Sequence, residues 1–313
     1  MESDNQKFKI MTHLLMIRPV AFGLNLQTAG SNAFQNKNAP QNQVQQKALK
    51  EFDDFVIKLQ AANIDITVIE DTFEPHTPDS IFPNNWVSFH TDGSVFLYPM
   101  QAENRRLERR DDILDQLAKR FTINQINDLS SFENQNQFLE GTGSMVLDRE
   151  NKIAYACLSA RTHPQILEIF CTESGYSAIT FKAVDGNNLP IYHTNVLMCL
   201  GKHFVIICLE TIISESEKNK LLNSFKTTKK EVIEISLTQM NHFAGNMLEV
   251  QNNDGKNYVI MSAAAFHSLS NLQIATLERY GHILHADLET IETNGGGSAR
   301  CMLAEVCLPL LRL

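Results

Sequence analysis

Cys301 closes the run Gly295-Gly296-Gly297-Ser298-Ala299-Arg300, the only triple glycine in the chain. A thiol becomes a nucleophile where its surroundings favour the thiolate, and successive backbone N–H groups of a glycine-rich turn can supply an anion-binding nest. The expected partners lie upstream. Asp79, Glu140, His193 and Cys301 each open a similar stretch of sequence. The intervals are 61 residues from Asp79 to Glu140, 53 to His193, 53 to Asn246 and 55 to Cys301. A thiolate that attacks, an imidazole that moves protons and a carboxylate that fixes the ring's tautomer are the parts of an activated cysteine. Singly, Asp79 after Pro78 and Glu140 before Gly141 read as turn formers, and a lone His as a satisfied polar residue. At matching positions of a repeat they point to one site.

The elements that must carry these residues recur with them: an apolar strand, a turn, a second apolar strand, an amphipathic helix and a closing strand. In the first copy, strands over Trp86 to His90 and Ser94 to Tyr98 flank an Asp92-Gly93 hairpin signal; a helix over Glu103 to Arg120 and a strand over Phe121 to Ile126 follow. The second has Ser144 to Leu147, Ile153 to Leu158, a helix after Pro164, and Ala178 to Phe181. The third has Val196 to Leu200, Phe204 to Leu209, a helix over Ser214 to Ser224 that Ser214 and Glu217 start as a capping box, and Glu231 to Ile235. The fourth has Met247 to Val250, Tyr258 to Met261, a helix over Asn271 to Tyr280, and His282 to Ala286. A fifth is split between the ends: Cys301 to Leu308, His13 to Ile17, a helix over Gln45 to Ala62, and Ile64 to Glu70. Sharing one module between the termini closes a ring, so the expected architecture is an α/β propeller of five ββαβ modules with pseudo-fivefold symmetry, one domain over 1–313. The alternative is a two-domain α/β protein with evenly spaced hairpins, and no linker supports it. The Asn- and Gln-rich stretch Ser31 to Gln46 reads as a mobile loop beside the first helix.

Composition narrows the partners. With 27 Lys plus Arg against 36 Asp plus Glu, the formal charge of −9 argues against nucleic acid and anionic membranes and leaves a small-molecule ligand. No apolar run reaches the roughly 18 residues of a spanning helix, and Met1 to Ile10 lacks a signal-peptide plan, so a cytoplasmic location is expected. Homo-oligomerisation is left open. The six cysteines form no CxxC pair; Cys157, Cys199, Cys208 and Cys307 sit in apolar runs as structural thiols, Cys171 completes that group, and Cys301 stands apart.

The motifs PDSIFPNNW, FLEGTGSMVLD, LSARTHPQ, YHTNVLMCLG, NHFAGNMLEV and GGGSARCMLAE resemble the guanidino-group-modifying branch of the pentein superfamily. Within that branch, which includes arginine deiminases, dimethylarginine hydrolases and glycine amidinotransferases, the chain looks most like the citrulline-utilisation hydrolases (citrulline ureidases). The resemblance implies a five-module propeller, with Cys301 as nucleophile, His193 as general acid/base and Glu140 as its partner. It also implies Asp79 on a substrate's α-amino group, and Arg161 and Arg105 on its α-carboxylate. No metal or organic cofactor is implied.

Relatives that hold a cationic guanidinium often carry carboxylates at the positions of Asn85 and Asn195, and some dimethylarginine hydrolases carry another at Asn84. A guanidinium offers only donors, whereas a neutral ureido group also offers a carbonyl acceptor that an amide can satisfy. These three Asn residues therefore favour citrulline, cleaved to ornithine, ammonia and carbon dioxide. The rival enzyme reading is an arginine deiminase or a dihydrolase on arginine or a substituted arginine; the rival from another class is a non-catalytic pentein used as a binding surface.

Overall fold

The computed structural model describes residues 13–30, 32, 34–36 and 43–311. Within the Asn/Gln-rich stretch, residues 31, 33 and 37–42 lie outside the described residues, as does the N-terminal segment read for a signal peptide.

The chain runs β1 (His13–Arg18), α1 (Val44–Ala61), β2 (Asp65–Glu70); β3 (Val87–Phe89), β4 (Ser94–Leu97), α2 (Asp111–Ala118), β5 (Gln125–Asp128); β6 (Met145–Asp148), β7 (Ile153–Cys157), α3 (Pro164–Ser174), β8 (Ser177–Phe181). It continues β9 (Met198–Leu200), β10 (Phe204–Ile207), α4 (Glu215–Thr227), β11 (Glu231–Glu234); β12 (Leu248–Gln251), β13 (Asn257–Ser262), α5 (Asn271–Glu278), β14 (His282–Ala286); and β15 (Ala304–Val306). The strands form five separate three-stranded sheets, each with an antiparallel pair and a parallel pair around a central strand. The fifth sheet joins the termini in the order β15-β1-β2, with Leu14 opposite Glu305 and Leu15 opposite Ala304. This is the five-module pentein propeller.

Local chemistry sets the elements. In α1, Val44, Ala48, Phe52, Phe55 and Leu59 are buried, a spacing that keeps one stripe of the helix on its sheet. Pro164 starts α3 and Gly175 ends it at φ +72°. The Ser214 side chain accepts the Glu217 N–H at the start of α4, and Gly93 takes φ +85° in the β3–β4 hairpin.

The core closes the ring. One apolar cluster joins Leu15, Ile17 and Val306 of the terminal module to Trp86 and Phe89 of the next, and another joins Phe96 and Tyr98 to Met145 and Ala154. A third runs from Tyr155 and Phe181 through Val205 to Val259, and a fourth returns from Val250 and Ile260 to Leu14, Phe52 and Phe55. Each module thus buries its apolar face only against its neighbours.

Most strand ends differ from the sequence reading by a few residues, and β14 is as expected. The helix expected over Glu103 to Arg120 is interrupted. A single turn, Glu103–Arg106, is followed by a break before α2. The tertiary contacts at the break are those of Arg109, which reaches out to Glu133 and Tyr98 O, while Glu108 pairs locally with Arg105. Cys157, Cys171, Cys199 and Cys208 are buried and Cys307 half-buried, all as free thiols; burial pushes the Cys157, Cys199 and Cys208 thiols up to about 12. Among the described residues, no helix is long and apolar enough to cross a membrane.

Candidate active site

In two modules the residue that opens the repeat caps a short turn of helix that feeds the first strand of the sheet, and a third module has a similar turn at the same place. Glu140 stands before Gly141–Ser144, His193 before Thr194–Leu197, and Asn84 and Asn85 lie within the 3-10 turn Pro83–Asn85. Because these first strands all leave from the same end of the ring, these residues meet there. One pocket is lined by Asp79, Asn85, Arg105, Arg161, His193, Asn195 and Cys301, and also by Asn32, Tyr192, Phe243 and Asn246. Among the described residues, no group of three or more His, Cys, Asp or Glu side chains is placed to hold a metal ion.

His193 Nε2 lies 2.7 Å from Glu140 Oε2. Burial pushes the Glu140 carboxyl up, but Arg161, His193 and Arg105 outweigh it and hold the group well below the usual carboxylate range. An ionised Glu140 can only accept, so the imidazole proton sits on Nε2 and Nδ1 keeps its lone pair. Burial, with Arg161 and Arg105 adding to it, holds His193 at about 4 despite Glu140. The ring is therefore a neutral base at pH 7. It lies against Gly143, where any Cβ would come within 2.9 Å of His193 Nδ1 and would also strike Asn85 Nδ2.

At the other end, Asn25 Nδ2 donates to Asp79 Oδ2 at 2.8 Å, and Asp79 Oδ1 is buried with no hydrogen-bond partner. Burial pushes this carboxyl up against the pull of Arg105 and Arg161. Arg161 Nη1 donates to Glu140 Oε2 at 3.4 Å and its guanidinium lies 4.8 Å from the Tyr192 ring centre. Arg105 is more committed. It is gripped by Glu108 through two bonds of 2.8 and 2.9 Å and donates to Asn85 Oδ1 at 2.9 Å.

The structure thus brings together Cys301, His193, Glu140, Asp79, Arg105, Arg161, Asn85 and Asn195. Asn84 is different: it is fully buried outside the pocket lining, with its amide spent on Thr142 and Asn85. The Asn85 carbonyl is already occupied by Arg105. Asn195 Nδ2 points at Cys301 Sγ, 3.4 Å away.

Close packing accounts for the triple glycine. A Cβ on Gly295 or Gly297 would press to 2.8 Å against the Phe82 ring, and Gly296 sits at φ +65°. Gly296 N–H is taken by Glu292 O and Cys301 N–H by Ser298 O. The carbonyls of Gly295 and Gly296 accept from Asn32, Gln35 and Tyr192.

Sequence reasoning passed over Asn25, Asn32, Glu108 and Tyr192, and gave Asn246 no role although the repeat period falls on it. Asn246 Nδ2 lies 3.3 Å from Cys301 Sγ.

The sequence model of the N,N dimethylarginine dimethylhydrolases, eukaryotic, matches residues 18–308. The chain belongs to this family. Dimethylarginine dimethylhydrolase family membership makes it a pentein of the guanidino-group-modifying branch and a hydrolase of non-peptide C–N bonds. Comparison with curated proteins gives no match. Among solved structures it is similar to the N-terminal domain of ArgZ, an arginine dihydrolase of the ornithine–ammonia cycle in Cyanobacteria. The TM-score is 0.75 at 17% identity, over 96% of this chain and 100% of that one. Unliganded AgrE gives 0.75 at 17% identity over 96% of this chain and 40% of that one. A dimethylarginine dimethylaminohydrolase adduct with S-methyl-L-thiocitrulline gives 0.67 at 17% identity, over 94% and 99%. At such identities the likeness speaks for the fold.

Proposed function

We propose that the whole ring acts as one domain that hydrolyses the guanidino group of arginine through to ornithine, with Cys301 as nucleophile, His193 as proton carrier and Glu140 as its partner. One observation carries the reading. A single pocket holds a thiol between two amides, a neutral imidazole backed by an ionised carboxylate, and, apart from these, an unpartnered Asp79 oxygen beside Arg161. The Asp79 oxygen suits an α-ammonium and Arg161 an α-carboxylate. Arg105, saturated by Glu108 and Asn85, sets the position of Asp79 and Asn85 more than it binds substrate. The arginine dihydrolase named among the structural neighbours supports arginine as the starting compound.

The chemistry balances with the residues present. The Cys301 thiolate adds to the guanidino carbon as His193 Nδ1 takes a proton from the guanidinium and passes it to the nitrogen that leaves as ammonia; water that gives its proton to the same nitrogen then displaces the thiolate and releases the ureido compound. A second addition of the thiolate to the ureido carbon expels the ornithine amine, again protonated by His193. Water then cleaves the carbamoyl thioester to carbamate, which falls apart to ammonia and carbon dioxide. One arginine and two waters give one ornithine, two ammonia and one carbon dioxide.

A second reading, citrulline alone as substrate, is favoured by the amides at Asn85, Asn195 and Asn246, since none brings the negative charge a guanidinium calls for. Incubation with arginine, citrulline and methylated arginines, with ornithine, citrulline, ammonia and dimethylamine measured, separates the readings. Two ammonia per ornithine from arginine supports the dihydrolase. Ornithine from citrulline with arginine untouched selects the second reading. Citrulline accumulating from arginine, or dimethylamine from dimethylarginine as the main product, overturns both. Cys301→Ser should abolish every one of these reactions.

A further inference from the structure

Cys301 Sγ has its hydrogen-bond donors on the third and fourth modules. Asn195 Nδ2 is 3.4 Å away and Asn246 Nδ2 3.3 Å, both from residues that are 1% exposed. The Asn246 amide is locked in orientation. Its Oδ1 accepts the Arg300 N–H at 3.0 Å, and its Nδ2 also donates to Asn195 O at 2.9 Å. A flipped amide would set N–H against N–H at Arg300 and oxygen against oxygen at Asn195, so the end facing sulfur must be the donor. Two donors aimed at one sulfur fit a thiolate, which accepts, far better than a thiol, which carries its own proton.

We propose that Asn246, with Asn195, forms an amide cradle that holds Cys301 as the thiolate and aims it, a task separate from substrate selection. The charged and titratable groups that line the pocket come from elsewhere, Asp79 and Arg105, Arg161, and Tyr192 and His193, with Glu140 behind His193 and Arg161. The nearest cation in sequence, Arg300, turns away onto Leu303 O at 2.7 Å and Glu305 at 3.1 Å. The amides therefore favour the anion without adding charge to a pocket that must also accept a polar substrate. The last residue of the triple-glycine run is tied into the same device, because the bond from Arg300 N–H to Asn246 fixes the backbone one residue before the nucleophile.

The proposal rests on Cys301 as nucleophile but not on which substrate it attacks, and its test uses no substrate. The rate of Cys301 alkylation by iodoacetamide is followed from pH 5 to pH 10 by mass of the Cys301 peptide, in the full chain and in Asn246→Ala, Asn246→Asp and Asn195→Ala. Hydrogen bonds to a charged group imply a rise of the pH midpoint by about one unit, tenfold in thiolate at a given pH, in Asn246→Ala and Asn195→Ala. In Asn246→Asp, which faces sulfur with a carboxylate, the rise should be roughly twice as large. The limiting rate at high pH should stay within about threefold, because loosening of the fold would speed alkylation without moving the midpoint. Thermal melts of each variant identify any that fails to fold, and Asn195→Ala, which leaves the tie to Arg300 intact, then decides alone. Midpoints within about 0.3 unit of the unmodified protein overturn the cradle. So does a fall in Asn195→Ala, which would mean that its oxygen faces the sulfur.

Discussion

Replacing Glu140 by Gln tests the logic of the site at its most constrained atom. The carboxylate is fully buried; Oε2 faces His193 at 2.7 Å, Arg161 at 3.4 Å and Arg105 at 4.0 Å, while Oε1 accepts Gln101 N–H at 3.0 Å. An amide of the same shape cannot accept at both ends. Either its NH2 opposes the Gln101 N–H, or it opposes His193 Nε2 and drives the imidazole proton to Nδ1, the nitrogen needed as base. The equivalent tautomer error in a Ser-His-Asp triad costs about 10⁴ in kcat, or about 5.5 kcal/mol. Arg105 keeps Glu108, so the uncompensated charge falls mainly on Arg161, and the stability loss should sit near the lower end of the roughly 3–5 kcal/mol for breaking a buried pair. The pH profile supplies the sign. Glu140 raises His193, so its removal must lower the acid limb of kcat/KM or leave it in place, never raise it. Turnover of arginine and citrulline over pH 4–9, with urea unfolding of the same protein, measures all of this. Activity within about threefold of the unmodified protein, or an acid limb moved upward, would refute the assigned tautomer.

Gly143→Ala should reduce turnover by at least about a hundredfold while leaving most of the stability, because the new methyl displaces the His193 ring and Asn85 by a fraction of an ångström; steady-state kinetics beside a thermal melt check it. Lys230→Met should do the opposite. It strands Asp148, 3.1 Å away with both side chains buried, costs about 3–5 kcal/mol in urea, and leaves kcat unchanged because neither residue lines the candidate site. His90, buried between Ser88 and the rings of Phe96, Phe170 and Tyr176, is held at about 3 chiefly by burial. The unfolded chain protonates it first, so its stabilisation is complete above pH 6.5 and is lost as pH falls below that. From pH 7.5 to pH 5 the unmodified protein should therefore lose about 2 kcal/mol more than His90→Phe, read by urea unfolding at each pH.

The ring was legible because each module repeats signals that act over a few residues: the Asp92-Gly93 turn, the cap from Ser214 to Glu217, Pro164 at a helix start, and apolar spacing along α1. The broken helix after Glu103 was not, since Leu107 to Arg110 favour a helix locally and Arg109 reaches a partner, Glu133, that lies beyond this segment. The site divides in the same way. A period near 53 residues placed Glu140, His193 and Cys301 together, and it fell equally on Asn246. An acid, an imidazole and a thiol announce a role by type; an amide does not, because it can donate or accept. Asn85 was read as a selector of substrate, yet its carbonyl serves Arg105. Asn246 drew no role, yet the Arg300 N–H fixes its carbonyl and so turns its NH2 toward the sulfur. What an amide does here is decided by the group that claims its other end: the Arg105 guanidinium for Asn85, and for Asn246 a backbone N–H 54 residues along the chain, beyond the reach of any local pattern.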